Sequence, residues 1–289
     1  MELERKNYTV WLRGFRAIMA IMPQGLYLTL SGMAIPVLFS GLYLDGVFFE
    51  KSNNISHLMF SSPVEQPIDF FGMLMSLEHV VLVWMFVGLL TLLSVFSGYL
   101  GLITMTQAHY KSLKVPGPLA AYFEGLKLVL SGGFFPLSLA LIVVAFGYVS
   151  MATMQLAGLI LTFISFLGLM IPVLYVIEKR GGIDAISRSY FLKYAVPAQI
   201  GRFGVFFQLV VLGMVFYCLF DFWPWLNQLI LDIDILLDID RSLWASFLGS
   251  SPFTFPYLVA LIVSSLMQVL TIAAFAIYST TFYFAVTQK

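Results

Sequence analysis

Six apolar runs organise the chain, at about 25–44, 80–105, 134–152, 154–177, 203–221 and 254–286. Each approaches or exceeds the roughly 20 predominantly apolar residues that a helix needs to cross a bilayer. The pattern predicts an all-α, polytopic membrane protein of six transmembrane helices, folded as a single integral membrane domain over 1–289. Gly25, Gly32 and Pro36 in the first run predict a kink there. The last run is long enough to tilt or to project from the bilayer.

Three shorter stretches follow a helical period of alternating apolar and polar residues. Tyr8, Trp11, Phe15 and Ile18 step by three, four and three, and so do Leu119, Tyr122, Leu126 and Val129. Ile183, Ile186, Tyr190 and Tyr194 step by three, four and four. Each set forms one apolar stripe on a helix. Basic residues accompany the stripes: Arg13 and Arg16, then Lys127, then Arg188 and Lys193. These are expected to be three cytoplasmic interfacial amphipathic helices, rings in the bilayer and cations toward lipid headgroups. Pro118 suits the first turn of the second helix, and Asp184 and Arg188 form an i,i+4 pair on the third. Helix, span, span can then be read three times, with Pro23, Pro136 and Pro197 near each entry into the membrane. Such a repeat implies a shared packing unit.

Charge orients the arrangement. With the N-terminus inside, only Lys51 and Arg241 of the fifteen basic residues fall outside, while ten of the fifteen acidic residues do. That asymmetry obeys the positive-inside rule and predicts both termini in the cytoplasm. Composition agrees: 60% of residues are apolar and 10% charged, against about 25% charged in soluble domains. Arg13 and Arg16 are followed by an apolar run without a small-residue cleavage site, so no signal peptide is expected.

The densest charged island is Glu178-Lys179-Arg180-Gly181-Gly182-Ile183-Asp184-Ala185-Ile186-Ser187-Arg188-Ser189-Tyr190. Gly181 and Gly182 are expected to supply left-handed backbone for a turn from the fourth span into the third amphipathic helix. Arg188 is expected to bridge to Glu178 or to a lipid phosphate, since a guanidinium fork suits both. This acidic–basic–Gly-Gly–Asp-Ala-Ile-x-Arg-Ser run, with Pro172 just before it, resembles the signature of a six-span bacterial membrane family. That family includes the membrane domain of glycerophosphodiester phosphodiesterases and the YciC-like proteins of unknown function. The resemblance is close over about twenty residues and implies a fold, in a bacterial inner or plasma membrane. The phosphodiesterase activity is not implied, because the soluble catalytic domain has no counterpart here.

Candidate chemistry is sparse. No Asp, Glu, Lys, Arg or His lies centrally in any span, although ion-coupled transporters and proton relays normally use one. Cys218 cannot form an intramolecular disulfide, being the one cysteine. His57, His79 and His109 are dispersed, and Glu78-His79 reads better as an interfacial cap than as a metal site. Asp232, Asp234, Asp238 and Asp240 read as the solvated face of an amphipathic segment, without the glycine a Ca²⁺ loop uses. Trp223, Trp225 and Trp244 read as interfacial anchors. The small-xxx-small pairs Ser94/Gly98 and Ser97/Gly101 read as packing positions within the chain. No phosphate-binding, nucleophile-elbow or dinucleotide fingerprint occurs.

No catalytic residue, metal or cofactor is expected, and no nucleic-acid partner. The expected partners are membrane lipids and a membrane protein. Lipid or phosphate contacts are expected at Arg13, Arg16, Lys127, Arg188 and Lys193, and a turn with its ion pair at Glu178, Gly181, Gly182 and Asp184. The leading functional expectation is a non-enzymatic membrane component that organises or assists partner proteins or lipids. The alternative is a permease or channel for an apolar or uncharged solute, lined by Gln155, Gln208, Ser264, Ser265, Gln268 and Thr271.

The orientation is directly testable. On a Cys218→Ser background, cysteines placed at Ser112 and Gly182 are expected to react with impermeant maleimide only after the cytoplasmic face is opened. Labelling of either from outside reverses the topology.

Overall fold

The computed structural model describes residues 2–43, 70–139, 142, 170–181, 184–185, 187–188 and 255–287. Among them the chain is helical apart from short connections, and no strand occurs. Helix α1 covers Glu2–Thr29, passes through a π turn at Leu30–Ala34 and continues to residue 43. Helix α2 is Phe70–Tyr110. Helix α3, Pro118–Leu128, leads into a second π turn at Val129–Gly133 and a further helical stretch to residue 139. Helix α4 is Ile171–Glu178, and α5 is Phe255–Thr287.

Three segments are long and apolar enough to cross a membrane: Leu12–Tyr43, Met85–Tyr110 and Leu261–Thr287. They overlap the first, second and sixth predicted spans. The predicted spans 134–152, 154–177 and 203–221 fall wholly or largely outside the described residues. So do Lys193, Gly182, His57, Cys218, the aspartates of 232–240, the outer tryptophans and most of the third amphipathic stretch.

Both α2 and α5 run antiparallel to α1. Gly14 lies against the Tyr278 ring and Gly41 against Leu261, while Gly25 meets Leu102 and Gly98 meets Met33. One face of α1 is therefore buried: Gly14, Ala17, Ile21, Gly25 and Leu28, at helical steps. Leu12, Phe15, Met19, Met22, Leu26 and Leu30 form an exposed apolar stripe on the other side.

The first amphipathic stretch is not a separate element. Between Ile18 and Gly25 the one breaker is Pro23, and α1 runs through it into the span. The predicted stripe also splits: Ile18 packs beside Ala17 and Ile21, while Phe15 faces outward.

The second stretch forms the predicted helix with Pro118 in its first turn, but its register is one residue off. The buried line is Ala121, Gly125 and Val129, with Tyr122 and Leu126 beside it and Leu119 exposed. Small side chains win that face because α3 presses against α2 backbone. A Cβ on Gly101 would stand 2.7 Å from the Ala121 carbonyl oxygen. One on Gly125 would run into the Ser97 carbonyl and come within 2.9 Å of the Gly101 nitrogen. Ser97 and Gly101 thus pack inside the chain, against a small-xxx-small pair on α3.

Proline accounts for the π turns. It has no N–H, so the carbonyl four residues earlier loses its helical donor. Pro36 leaves the Gly32 carbonyl in that position, and the Ser94 hydroxyl of α2 donates to it at 2.7 Å. Tyr122 of α3 completes the chain, its Oη 2.9 Å from Ser94 Oγ. Pro136 stands in the same relation to Gly132, whose φ is 118°. The two stretches are Leu30-Ser31-Gly32-Met33-Ala34-Ile35-Pro36 and Leu130-Ser131-Gly132-Gly133-Phe134-Phe135-Pro136, a Leu-Ser-Gly-x-x-x-Pro pattern used twice. In this match Pro136 corresponds to Pro36, not to Pro23.

Gly125→Ala is expected to separate α3 from α2 and to cost about 1–3 kcal/mol, the usual range for overpacking. Gly88 meets nothing within 4 Å, so Gly88→Ala is expected to be neutral or to gain up to about 1 kcal/mol of helix propensity. Thermal unfolding in detergent separates the two variants.

Candidate functional site

Four helices meet at one end of the described structure. Tyr110, the last residue of α2, places its Oη 3.3 Å from the Arg13 carbonyl of α1 and 3.2 Å from Thr281 Oγ1 of α5. Its ring stacks on Phe284 with centroids 5.1 Å apart. On α5 the next turn carries Tyr283, whose hydroxyl donates to Glu178 Oε1 at 2.9 Å. Glu178 ends α4, so a tyrosine from α5 and a carboxylate from α4 tie those helices together.

The Glu178 carboxylate gathers three more donors. Arg188 gives Nε to Oε2 at 3.0 Å and to Oε1 at 3.3 Å, and Nη2 to Oε1 at 3.2 Å. Arg180 Nε lies 3.2 Å from Oε2. The Glu178 side chain is 15% exposed, against 31% for Arg188 and 52% for Arg180. Burial by itself would raise the Glu178 carboxyl. Hydrogen bonds from Arg188 and Tyr283, with the charges of Arg188 and Arg180, outweigh it and hold the group below the ordinary carboxylate range.

In the described part of the turn a residue before the glycines takes the left-handed conformation, and Gly182 lies outside the described residues. The left-handed residue is Lys179, with φ 57°, and Gly181 does not adopt that conformation. The amides of Lys179 and Arg180 both reach back to the Leu174 carbonyl, the latter at 3.4 Å. A left-handed residue there lets successive amides satisfy the carbonyls orphaned at the helix end. Tyr175, one turn earlier, donates its hydroxyl to the Leu128 carbonyl at 2.9 Å, joining α4 to the second π turn.

The structure brings together Glu178 and Arg188. Asp184 is exposed, and Arg188 directs its Nε and Nη2 to Glu178 instead. Arg13, Arg16 and Lys127 are exposed; Arg13 meets Tyr110 through its backbone carbonyl, and its charge also lies within electrostatic reach of that phenol. Sequence reasoning missed Arg180, Tyr283 and Tyr110. For the tyrosines the available signal is weak: a phenol within the last turns of an apolar run, where a ring in the core can keep a polar tip at its edge. Among the described residues, no three His, Cys, Asp or Glu side chains gather as a metal site would require. No protein family matches the chain, and no curated protein or solved structure does either.

The sign of the Glu178 shift sets a pH dependence. A carboxyl held low in the folded state contributes stability that is complete above its unfolded value and is lost as pH falls through the folded value. The contribution of Glu178 to the melting temperature is therefore expected to be independent of pH near neutrality and to be lost as pH drops below the ordinary carboxyl value of 4.5. Glu178→Gln is expected to remove about 1–3 kcal/mol at neutral pH, the range for charge-assisted hydrogen bonds, and to flatten the acid limb. Exchange of Glu178 and Arg188 is expected to rescue little, because Arg180 and Tyr283 are also aimed at the carboxylate. Melting curves of the exchange variant against each single variant check this.

Proposed function

We propose that this chain is a six-span bacterial inner- or plasma-membrane component, both termini cytoplasmic, that organises or assists partner proteins or lipids without performing chemistry. The observation that carries the reading is how polarity is distributed. Apolar side chains line the outside of α1 and α2, including Phe39, Leu82, Met85, Phe86 and Leu89. Inside, the buried hydroxyls of Thr29, Ser97, Thr106, Thr271, Ser279, Thr280 and Thr281 each donate to a carbonyl three or four residues earlier in their own helix. Hydroxyls closed in this way turn their protons to their own helix. Thr271, expected to line a solute pathway, is one of them.

Helix direction supports the six-span count. The ends of α2, α4 and α5 share one side with the Arg13 region of α1, and α5 starts on the other. If the long helices cross, an even number of crossings separates Tyr110 from Glu178, and an odd number separates Glu178 from Phe255. The predicted third, fourth and fifth spans supply two and one. The resemblance at Glu178–Tyr190 to the six-span membrane family points the same way.

Extraction of the full chain into native nanodiscs tests the reading. A protein or lipid class is expected to stay with it at fixed stoichiometry through two unrelated purification steps. Saturable uptake of an uncharged solute by proteoliposomes holding the chain alone would replace this reading with the permease.

A further inference from the structure

We infer that the outer face of α3, with the connection that precedes it, is a lipid-contact surface for an anionic leaflet. The inference rests on the membrane reading above and identifies which surface meets charged lipid.

Packing decides which side of α3 is left over. Ala121, Gly125 and Val129 are buried toward α2. The opposite line is Leu119, Phe123, Lys127 and Leu130, at steps of four, four and three. Its apolar members are 67%, 58% and 70% exposed. A soluble helix with a buried small-residue face would carry polar groups on this line. Here the line is apolar, and one cation sits within it rather than beside it. A lysine in that place can keep its stem on apolar surface while the ammonium reaches outward to a phosphate.

The connection from α2 to α3 has the same character. Leu113 is exposed between the exposed Lys111 and Lys114. Ser112, left-handed at φ 53°, ends α2, and the Leu113 amide returns to the Ala108 carbonyl at 2.9 Å. Across this connection and α3, Lys111, Lys114 and Lys127 stand against one acidic residue, Glu124. Beyond the second π turn the exposed Phe135 extends the apolar line. Exposed apolar side chains also line α2 at Met85, Phe86 and Leu89, within a segment long and apolar enough to cross a membrane. Apolar rings with basic neighbours match an anionic headgroup boundary, where each nearby Lys or Arg adds attraction that salt screens. A protein partner of matched charge would have to present acidic groups around an apolar cleft. The packing of α3 on a membrane-long apolar segment of α2 favours lipid.

Spin labels test this in the full chain on a Cys218→Ser background, reconstituted in nanodiscs of phosphatidylcholine alone or mixed with phosphatidylglycerol. Single cysteines replace Leu119, Phe123, Leu130, Glu124 and, as a reference on α2, Phe86. Labels at 119, 123 and 130 are expected to collide with oxygen more than with a water-soluble nickel chelate, and the label at 124 is expected to do the reverse. Adding phosphatidylglycerol is expected to deepen the label at 123, and Lys111→Gln, Lys114→Gln and Lys127→Gln together are expected to abolish that shift. A nickel-favoured label at 123 beside an oxygen-favoured label at 86 overturns the inference and leaves the membrane reading standing. A label immobilised and shielded from both reagents at 123 overturns it in favour of a protein partner. Depth that ignores both lipid charge and the lysines overturns the anionic assignment. If the label at 86 is also nickel-favoured, the membrane reading itself has failed.

Discussion

The arrangement depends on one close approach: the backbone of α3 against that of α2, at Ser97 and Gly101 on one side and Ala121 and Gly125 on the other. Within a bilayer, moving an apolar side chain from lipid into protein gains little, because both surroundings are equally oily. What remains is dispersion at short range and hydrogen bonds between helices. Glycine and alanine provide the first by letting backbones touch. The same contact arranges the second, since it brings Tyr122 within reach of Ser94, and Ser94 donates to the Gly32 carbonyl of α1. Three helices are fixed by small residues and by one chain of hydroxyls, with no charge involved.

That dependence gives the paired π turns a physical meaning. A proline in a helix leaves a carbonyl without its donor, which is costly where no water can replace it. The chain meets the problem at Pro36 with Ser94. At the second turn the Leu128 carbonyl takes the Tyr175 hydroxyl and, at 3.1 Å, the Ser131 hydroxyl. At the first turn a neighbouring helix supplies the donor to the carbonyl that Pro36 orphans, whereas at the second Tyr175 bonds the carbonyl just ahead of the turn rather than that of Gly132. Leu-Ser-Gly-x-x-x-Pro occurs twice, each time at a π turn.

The all-helical character and the positions of the long apolar helices were legible in the amino-acid pattern, because length and apolarity act locally. The Ser97/Gly101 pair was legible too, as a packing position. Its partner on α3 was not, since the conspicuous stripe of Leu119, Tyr122, Leu126 and Val129 drew attention away from the two small residues one position earlier. Large apolar residues mark a buried face only when water is the alternative. Where lipid is the alternative, the small residues mark the protein side and the large ones are free to face out, as Leu119, Phe123 and the α1 line from Leu12 to Leu30 do. Hydrophobic periodicity therefore gave the existence of the helix with its buried line turned by one residue: Val129 is buried, Tyr122 and Leu126 flank that line, and Leu119 faces out. The Glu178–Arg188 pairing was open to sequence reasoning because it joins residues ten apart. Tyr283, more than a hundred residues away, carries no local signal that it would meet the same carboxylate.

These two sets of contacts differ in kind, and the difference ranks them. The Glu178 cluster stands at one end of the described helices, and its Arg188 and Arg180 side chains are 31% and 52% exposed. Water and salt weaken such pairs, and an exposed arginine like Arg180 adds about 0–1 kcal/mol. The α2–α3 contact has no solvent to fall back on: any side chain at Gly125 must displace backbone. The charged island that dominates the sequence is thus a latch joining α4 to the end of α5, whereas the frame is made by residues too small to stand out.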